Sequence, residues 1–245
     1  MLSCTQRLAP VGPTRHQAER PFWEERAIFI ALEGPEGAGK TTQAEMLVRR
    51  LREAGWRVVL VREPGGTDLG ERLRALLLHR GTTLSARAET LLYLAARAQL
   101  VDEVLRPALQ RGDVVVSDRF EASTLAYQGY GRGLPLPDVR RVLPFASQGI
   151  QPDLTILLDL PAEQGLSRKA QRAEQWNRFE EETLAFHERV RAGYRREAAK
   201  DPRRWVVLPA TAPIEELSER IWRLVRDALQ RRPAHASERP SGERT

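Results

Sequence analysis

One eight-residue stretch constrains this chain more than any other: Gly34-Pro35-Glu36-Gly37-Ala38-Gly39-Lys40-Thr41. It fits the pattern G-x-x-x-x-G-K-[ST], a phosphate-cradling loop that has its meaning only between a strand and a helix. Both flanks are present. Ala27-Ile28-Phe29-Ile30-Ala31-Leu32 is a short apolar run that reads as a buried strand. From Thr41 to about Ala54, Met46, Leu47 and Leu51 fall at helical spacing, and Gly55 closes the helix. Gly34, Gly37 and Gly39 have no side chains, so backbone N–H groups are free to turn toward an anion, and the helix N-terminus adds a partial positive charge. In such a loop Lys40 reaches the β- and γ-phosphates of a nucleoside triphosphate and Thr41 offers its hydroxyl to Mg²⁺.

The rest of the chain repeats the strand-then-helix rhythm. Val58-Val59-Leu60-Val61 is a second strand, stopped by the turn Arg62-Glu63-Pro64-Gly65-Gly66-Thr67. Helices are predicted at about 69–79 and 87–109, then a third strand Val114-Val115-Val116 ending in Ser117-Asp118-Arg119-Phe120. A helix near 137–147 precedes a fourth strand, Leu154–Leu160. An arginine-rich helix and a break follow, then a helix at about 179–199, a fifth strand Val206-Val207-Leu208 and a last helix Ile214–Gln230. Short, continuously apolar strands alternating with helices predict an α/β fold, a five-stranded parallel sheet flanked by helices on both faces. Ligands in such sheets bind at the carboxyl ends of the strands, where the loop at 34–41 and Asp118-Arg119 both fall. Residues 1–26 read as a flexible N-terminal extension. The tail 231–245 lacks an apolar face and is expected to be disordered.

Composition narrows the class. No apolar run approaches the roughly 18 residues that span a bilayer, so no membrane association is expected. The first 26 residues lack the hydrophobic stretch of a secretory signal, and the single cysteine, Cys4, fits a reducing cytoplasm. A net charge of +6 points to polyanionic partners. Only three of the 39 basic residues are lysines, Lys40, Lys169 and Lys200, so position 40 holds an ammonium in a chain that otherwise uses arginine.

Three kinds of nucleotide protein compete for such a loop. A GTPase reads guanine with Asn-Lys-x-Asp, but the only asparagine, Asn177, is followed by Arg178. A motor carries an acidic pair at the end of a longer strand, whereas Asp118 is followed by Arg119. A nucleic-acid binder spreads basic residues between aromatics, yet only 6% of this chain is aromatic, and stable nucleic-acid binding is not expected. A kinase of small molecules remains. There Asp118 can hold the water shell of Mg²⁺, and Arg119 can bridge donor and acceptor phosphates. Tyr93 and Arg97, four apart on one predicted helix, share a face. A ring beside a fork of donors suits a flat base with a carbonyl edge.

Five motifs in order carry a resemblance: Glu33-Gly34-Pro35-Glu36-Gly37-Ala38-Gly39-Lys40-Thr41-Thr42, Arg62-Glu63-Pro64-Gly65-Gly66-Thr67, Asp118-Arg119-Phe120, Ser123-Thr124-Leu125-Ala126-Tyr127-Gln128-Gly129 and Pro152-Asp153-Leu154-Thr155. Over about residues 27–230 the chain resembles the bacterial thymidylate kinases, which have a three-layer P-loop kinase fold. The resemblance implies transfer of a phosphoryl group from ATP, with Mg²⁺, to dTMP, in a cytoplasmic homodimer. It implies that Tyr93 stacks on thymine, where the family more usually has phenylalanine, and that Arg97 bonds a thymine carbonyl. Arg74 and Arg119 would grip the monophosphate. Ser123, Thr124, Tyr127 and Gln128 would line the base and sugar pocket, with Tyr127 excluding a 2′-hydroxyl. Glu33 and Glu63 would serve the same acceptor site, Glu33 near the metal or the sugar. The loop at 34–41 contains no arginine, and family members of that type place the catalytic one in a lid, here about residues 165–180. Arg168 and Arg172 are the expected contacts to the transferred phosphoryl. Asn177-Arg178 stands where the family often has Asp-Arg. The nearest alternatives are a kinase of another nucleotide or of a deoxynucleoside; a nucleotide-dependent scaffold or nucleic-acid-binding protein is a further class.

Overall fold

The structure, a computed structural model, describes residues 27–171 and 177–231. The expected N-terminal extension, the tail beyond Arg231 and the lid arginine Arg172 lie outside the described residues. Five strands, β1 (Ile28–Glu33), β2 (Val58–Arg62), β3 (Val114–Asp118), β4 (Leu154–Asp159) and β5 (Trp205–Pro209), form one parallel sheet in the order β2-β3-β1-β4-β5. The predicted α/β architecture is the observed one. Because β3 and β4 both pair with β1, the loop after β1 lies at the centre of the sheet, and Leu32 pairs in register with Asp118.

Strand alternation divides the core. Ile28, Ile30, Leu32, Val114, Val116, Ile156 and Leu158 face one side. There they meet Leu47 and Leu51 of α1 (Lys40–Glu53) and Leu217, Ile221 and Val225 of α9 (Ile214–Gln230). Phe29, Ala31 and Val115 face the other side, against Leu100, Leu105 and Leu109. A third apolar cluster joins Tyr127, Phe179, Phe186, Val190 and Tyr194 and packs α8 (Leu184–Lys200) over β4. With both faces covered, the central strands are mostly apolar, which is why they appear as short hydrophobic runs.

Two helices depart from the sequence reading. The expected continuous helix 87–109 is α3 (Ala86–Leu100), a π-helical turn Val101–Leu105 and a short α4 (Arg106–Gln110). Pro107 has no N–H to continue the α-helical ladder and its ring crowds the preceding turn, so the chain widens just before it. The helix expected from about 179 begins at Leu184 instead, with Thr183 Oγ1 accepting from Phe186 N at 3.3 Å. Upstream, Asn177 Oδ1 accepts from Phe179 N and Glu180 carboxylate accepts from Asn177 N, local bonds that hold the chain in turns. The remaining helices are α2 (Asp68–Leu78), α5 (Glu121–Thr124), α6 (Leu136–Ser147) and α7 (Ala162–Ala170). Between α5 and α6 runs a second π-helical segment, Leu125–Gly131.

Candidate active site

A cavity of about 1150 Å³ opens at the carboxyl ends of β1, β2 and β3. One wall is the loop at 34–41. Gly37 takes φ +69°, and a Cβ there would lie 2.3 Å from Gly165 O. Gly34 has φ +146°, and its Cβ would meet Leu158 O at 2.5 Å. The loop is thus pressed between the end of β4 and α7, and a side chain at either position would push it into the cavity. Gly39 caps α1 in a left-handed conformation without a side-chain bond, which leaves the first-turn N–H groups to a ligand.

Lys40 curls back, its Nζ donating to Pro35 O at 2.8 Å. Burial and the neighbouring Arg119 bring its ammonium down to about 8, although Asp118, Glu36 and Glu33 pull the other way. Thr41 Oγ1 donates to Asp118 Oδ2 at 2.5 Å, so the hydroxyl and carboxylate named from sequence converge at the cavity.

Arg119 stands where the loop meets the opposite wall. Its backbone is left-handed (φ +75°), which turns the side chain back across the strand end. Nη1 donates to Gly34 O and Tyr194 Oη, each at 3.0 Å, and lies 3.3 Å from Ser123 Oγ. Nη2 reaches Tyr127 Oη at 3.2 Å and Glu36 Oε1 at 3.3 Å. Burial disfavours the charge, but Tyr127, Tyr194, Glu36 and Asp118 hold the guanidinium protonated well above its usual range. Glu36 receives the Tyr127 hydroxyl at 2.5 Å. Burial pushes Glu36 up, yet His187, Arg119, Lys40 and Tyr127 together hold its carboxyl well below the usual range.

Tyr93, Arg97, Glu63, Arg74, Ser123, Thr124, Tyr127 and Gln128 all line the same cavity. The Tyr93 ring is half-buried, 6.4 Å from that of Phe179. Arg97 is already committed on one side. Its Nε and Nη2 grip Glu63 Oε2 at 2.8 and 2.6 Å, and Nη2 also donates to Phe120 O. Burial alone would lower Arg97, but Glu63 reverses that and keeps it charged. Its Nη1 is buried without a partner among the described residues, a donor left over for a ligand. Arg74 Nη1 donates to Pro64 O at 2.8 Å.

Glu33 is placed differently from the expectation of a metal or sugar neighbour. It is fully buried and is not among the residues lining this cavity. Its carboxylate accepts from Phe120 N, Ser123 Oγ and Tyr194 Oη at 2.7–3.0 Å, so it supports the Arg119 turn from behind. Arg168 also differs. Its Nη1 donates to Ala210 O at 3.0 Å and lies 3.4 Å from Gly37 O, at the part of the cavity walled by Ala210–Ile214.

Sequence reasoning missed three groups. Tyr194 and His187, seven apart on α8, reach Arg119 and Glu36 respectively. Glu89 is buried on α3, receives Gln128 Nε2 at 2.8 Å and pairs with Arg132 and Arg178 at 3.2 and 2.6 Å. The signal for Glu89 was its spacing, four and eight residues before Tyr93 and Arg97, which puts all three on one helix face. For His187 and Tyr194 the helical period said only that they belong to the buried side.

The family model for thymidylate kinase matches residues 32–221. The chain is 50% identical over 203 residues to a thymidylate kinase of Thermomicrobium roseum, covering 83% of this chain and 96% of that one. It is 52% identical over 200 residues to a thymidylate kinase of Deinococcus radiodurans, covering 82% and 97%. Among solved structures, the crystal structure of thymidylate kinase from Ehrlichia chaffeensis superposes with a TM-score of 0.66 at 30% identity, over 81% of this chain and 98% of that chain.

Proposed function

From the premise that this chain belongs to the thymidylate kinase family and transfers a phosphoryl group from ATP to dTMP, giving dTDP and ADP, we propose how its residues divide the work. The observation that carries the reading is the position of Arg119. It touches the phosphate loop at Gly34, and Ser123 and Tyr127 across the same cavity, which supports a single guanidinium serving both substrates.

On the donor side, the N–H groups of Glu36–Gly39 and the open first turn of α1 bind the phosphates of ATP, with Lys40 leaving Pro35 O for them. Thr41 and Asp118 hold Mg²⁺. A hydroxyl and one carboxylate suit this ion, which takes few protein ligands and completes its shell with phosphate oxygens and water. When bound, Mg²⁺ neutralises charge on the phosphates. On the acceptor side, Tyr93 stacks on thymine and the free Nη1 of Arg97 donates to a thymine carbonyl. Arg74 and Arg119 take the monophosphate; Tyr127, Ser123, Thr124 and Gln128 bound the sugar and base. Glu63 acts through Arg97 and Glu33 through the Arg119 turn. Arg168, directed at Ala210, is read as a contact to the donor nucleotide, which leaves Arg172 as the lid arginine at the transferred phosphoryl.

The attacking phosphate oxygen is already anionic, so no strong base is required. Catalysis is alignment and charge neutralisation by Lys40 and Arg119. We also read the enzyme as a cytoplasmic homodimer. Exposed Leu69 and Leu76 on α2, Leu91 on α3, and Val142 and Phe145 on α6 support pairing through those helices. The test is an acceptor panel with Mg²⁺-ATP: dTMP beside UMP, CMP, AMP, GMP and thymidine. The expected result is a clear preference for dTMP, lost in Arg97→Leu; an unselective enzyme, or an Arg97→Leu variant that keeps the preference, refutes the base-reading assignment.

A further inference from the structure

Arg119 is caged between two buried carboxylates, Glu33 behind it and Glu36 in the phosphate loop before it. Helix α8 supplies a donor to each. Tyr194 Oη reaches Glu33 Oε2 at 3.0 Å, and seven residues earlier, two helical turns away on the same face, His187 Nδ1 stands 3.4 Å from Glu36 Oε2. The two oxygens of Glu36 have different company. Oε1 faces Tyr127 and Arg119, whereas Oε2 is buried, makes no hydrogen bond among the described residues, and has His187 Nδ1 3.4 Å away. His187 is itself only 1% exposed, and its Nε2 has no hydrogen-bond partner among the described residues. The ring packs edge-on against Phe186, with centroids 5.4 Å apart. A buried carboxylate oxygen without a donor is costly, and a free one would turn to the nearest cation. For Glu36 the nearest cation, Arg119, already holds Oε1 at 3.3 Å, and Lys40 is the next whose charge acts on it.

We infer that His187 is a positioning residue. Its Nδ1–H fixes the rotamer of Glu36, so that Oε1 stays on Tyr127 and Arg119 and the Lys40 ammonium stays available to the triphosphate. The residue touches neither substrate. It acts by tying the phosphate loop to the first turn of α8, so its loss mispositions Arg119 rather than removing a contact. The inference rests on the reading of Arg119 as the acceptor-phosphate residue.

The test is a set of substitutions read by steady-state kinetics and thermal unfolding. Asn places its amide nitrogen where Nδ1 lies, Gln places it near Nε2, and Leu has no donor. His187→Leu and His187→Gln should lower kcat/KM for dTMP by roughly tenfold or more, the size expected for a displaced but present charged group. The KM for ATP should move less than about twofold in both, and His187→Asn should recover to within about threefold of the parent. In a Glu36→Ala background, His187→Leu should have no further effect beyond about twofold, because coupled residues are not additive. Should the Leu variant fail to fold, the Asn and Gln pair carry the same comparison at equal polarity. Equal loss in Asn and Gln, an undiminished His187→Leu, or full additivity with Glu36→Ala overturns the inference. Arg119→Ala separates the two readings: near-normal turnover there removes the phosphate role of Arg119, while the His187 comparisons bear on the anchor alone.

Discussion

The phosphate-loop lysine should make ATP affinity pH-dependent between about pH 7 and 9. Burial and the guanidinium of Arg119 lower Lys40 to about 8 in the ligand-free protein. Only the ammonium pairs with the triphosphate, whose own charge restores the proton on binding. At pH 7 about nine in ten molecules carry it, and at pH 9 about one in eleven. Binding at pH 9 must then take up close to one proton, and affinity should fall about tenfold from pH 7 to pH 9, a change of about 1.4 kcal/mol. The γ-phosphate is essentially fully ionised over this range and contributes little. The sign for folding is opposite. Between about 8 and its ordinary 10.5 Lys40 binds fewer protons folded than unfolded, so the ligand-free fold gains stability from this group as pH rises. The assay is isothermal titration with a non-hydrolysable ATP analogue and Mg²⁺ at pH 7, 8 and 9, each in two buffers of different ionisation enthalpy. An affinity independent of pH, or no proton uptake at pH 9, refutes the reasoning.

Two further perturbations follow from the packing. Arg97→Leu strands Glu63 in the interior and should destabilise the ligand-free fold by about 3–5 kcal/mol, a fall of roughly 10 °C in Tm for a domain of this size; a fall below about 2 °C shows that Glu63 finds another partner. If the proposed dimer pairs through α6, where Phe145 is 89% exposed, Phe145→Glu should sediment as a monomer and the parent as a dimer, with an unchanged far-UV spectrum; the same sedimentation coefficient for both refutes pairing through α6.

The sheet was legible because Ile28–Leu32, Val114–Val116 and Ile156–Leu158 are covered on both faces and so carry no polar residue. The phosphate loop was legible because its glycines answer to backbone geometry alone. What stayed hidden depends on partners far apart in sequence. Nothing near Arg97 announces Glu63, 34 residues away, as its mate. Glu33 has the composition of a ligand-facing strand end, and only the left-handed turn at Arg119 folds Phe120 N back onto it. The late start of α8 was obscured because Asn177, Glu180 and Thr183 satisfy local N–H groups that a longer helix would have used. Arg168 lies on the arginine-rich helix after β4, but the choice of Ala210 as its acceptor is tertiary.

Glu89 has a wider consequence than its three partners suggest. It joins α3, the π-helical segment bearing Gln128, and the turn at Arg178 that leads into α8. None of these can swing outward without abandoning a charge in the interior, so they open as one block. Amide hydrogens in Leu125–Gly131 and in the Asn177–Glu180 turn should therefore exchange with a common opening free energy. The floor of the acceptor pocket and the chain entering α8 are in this sense one mechanical part, held at a single carboxylate.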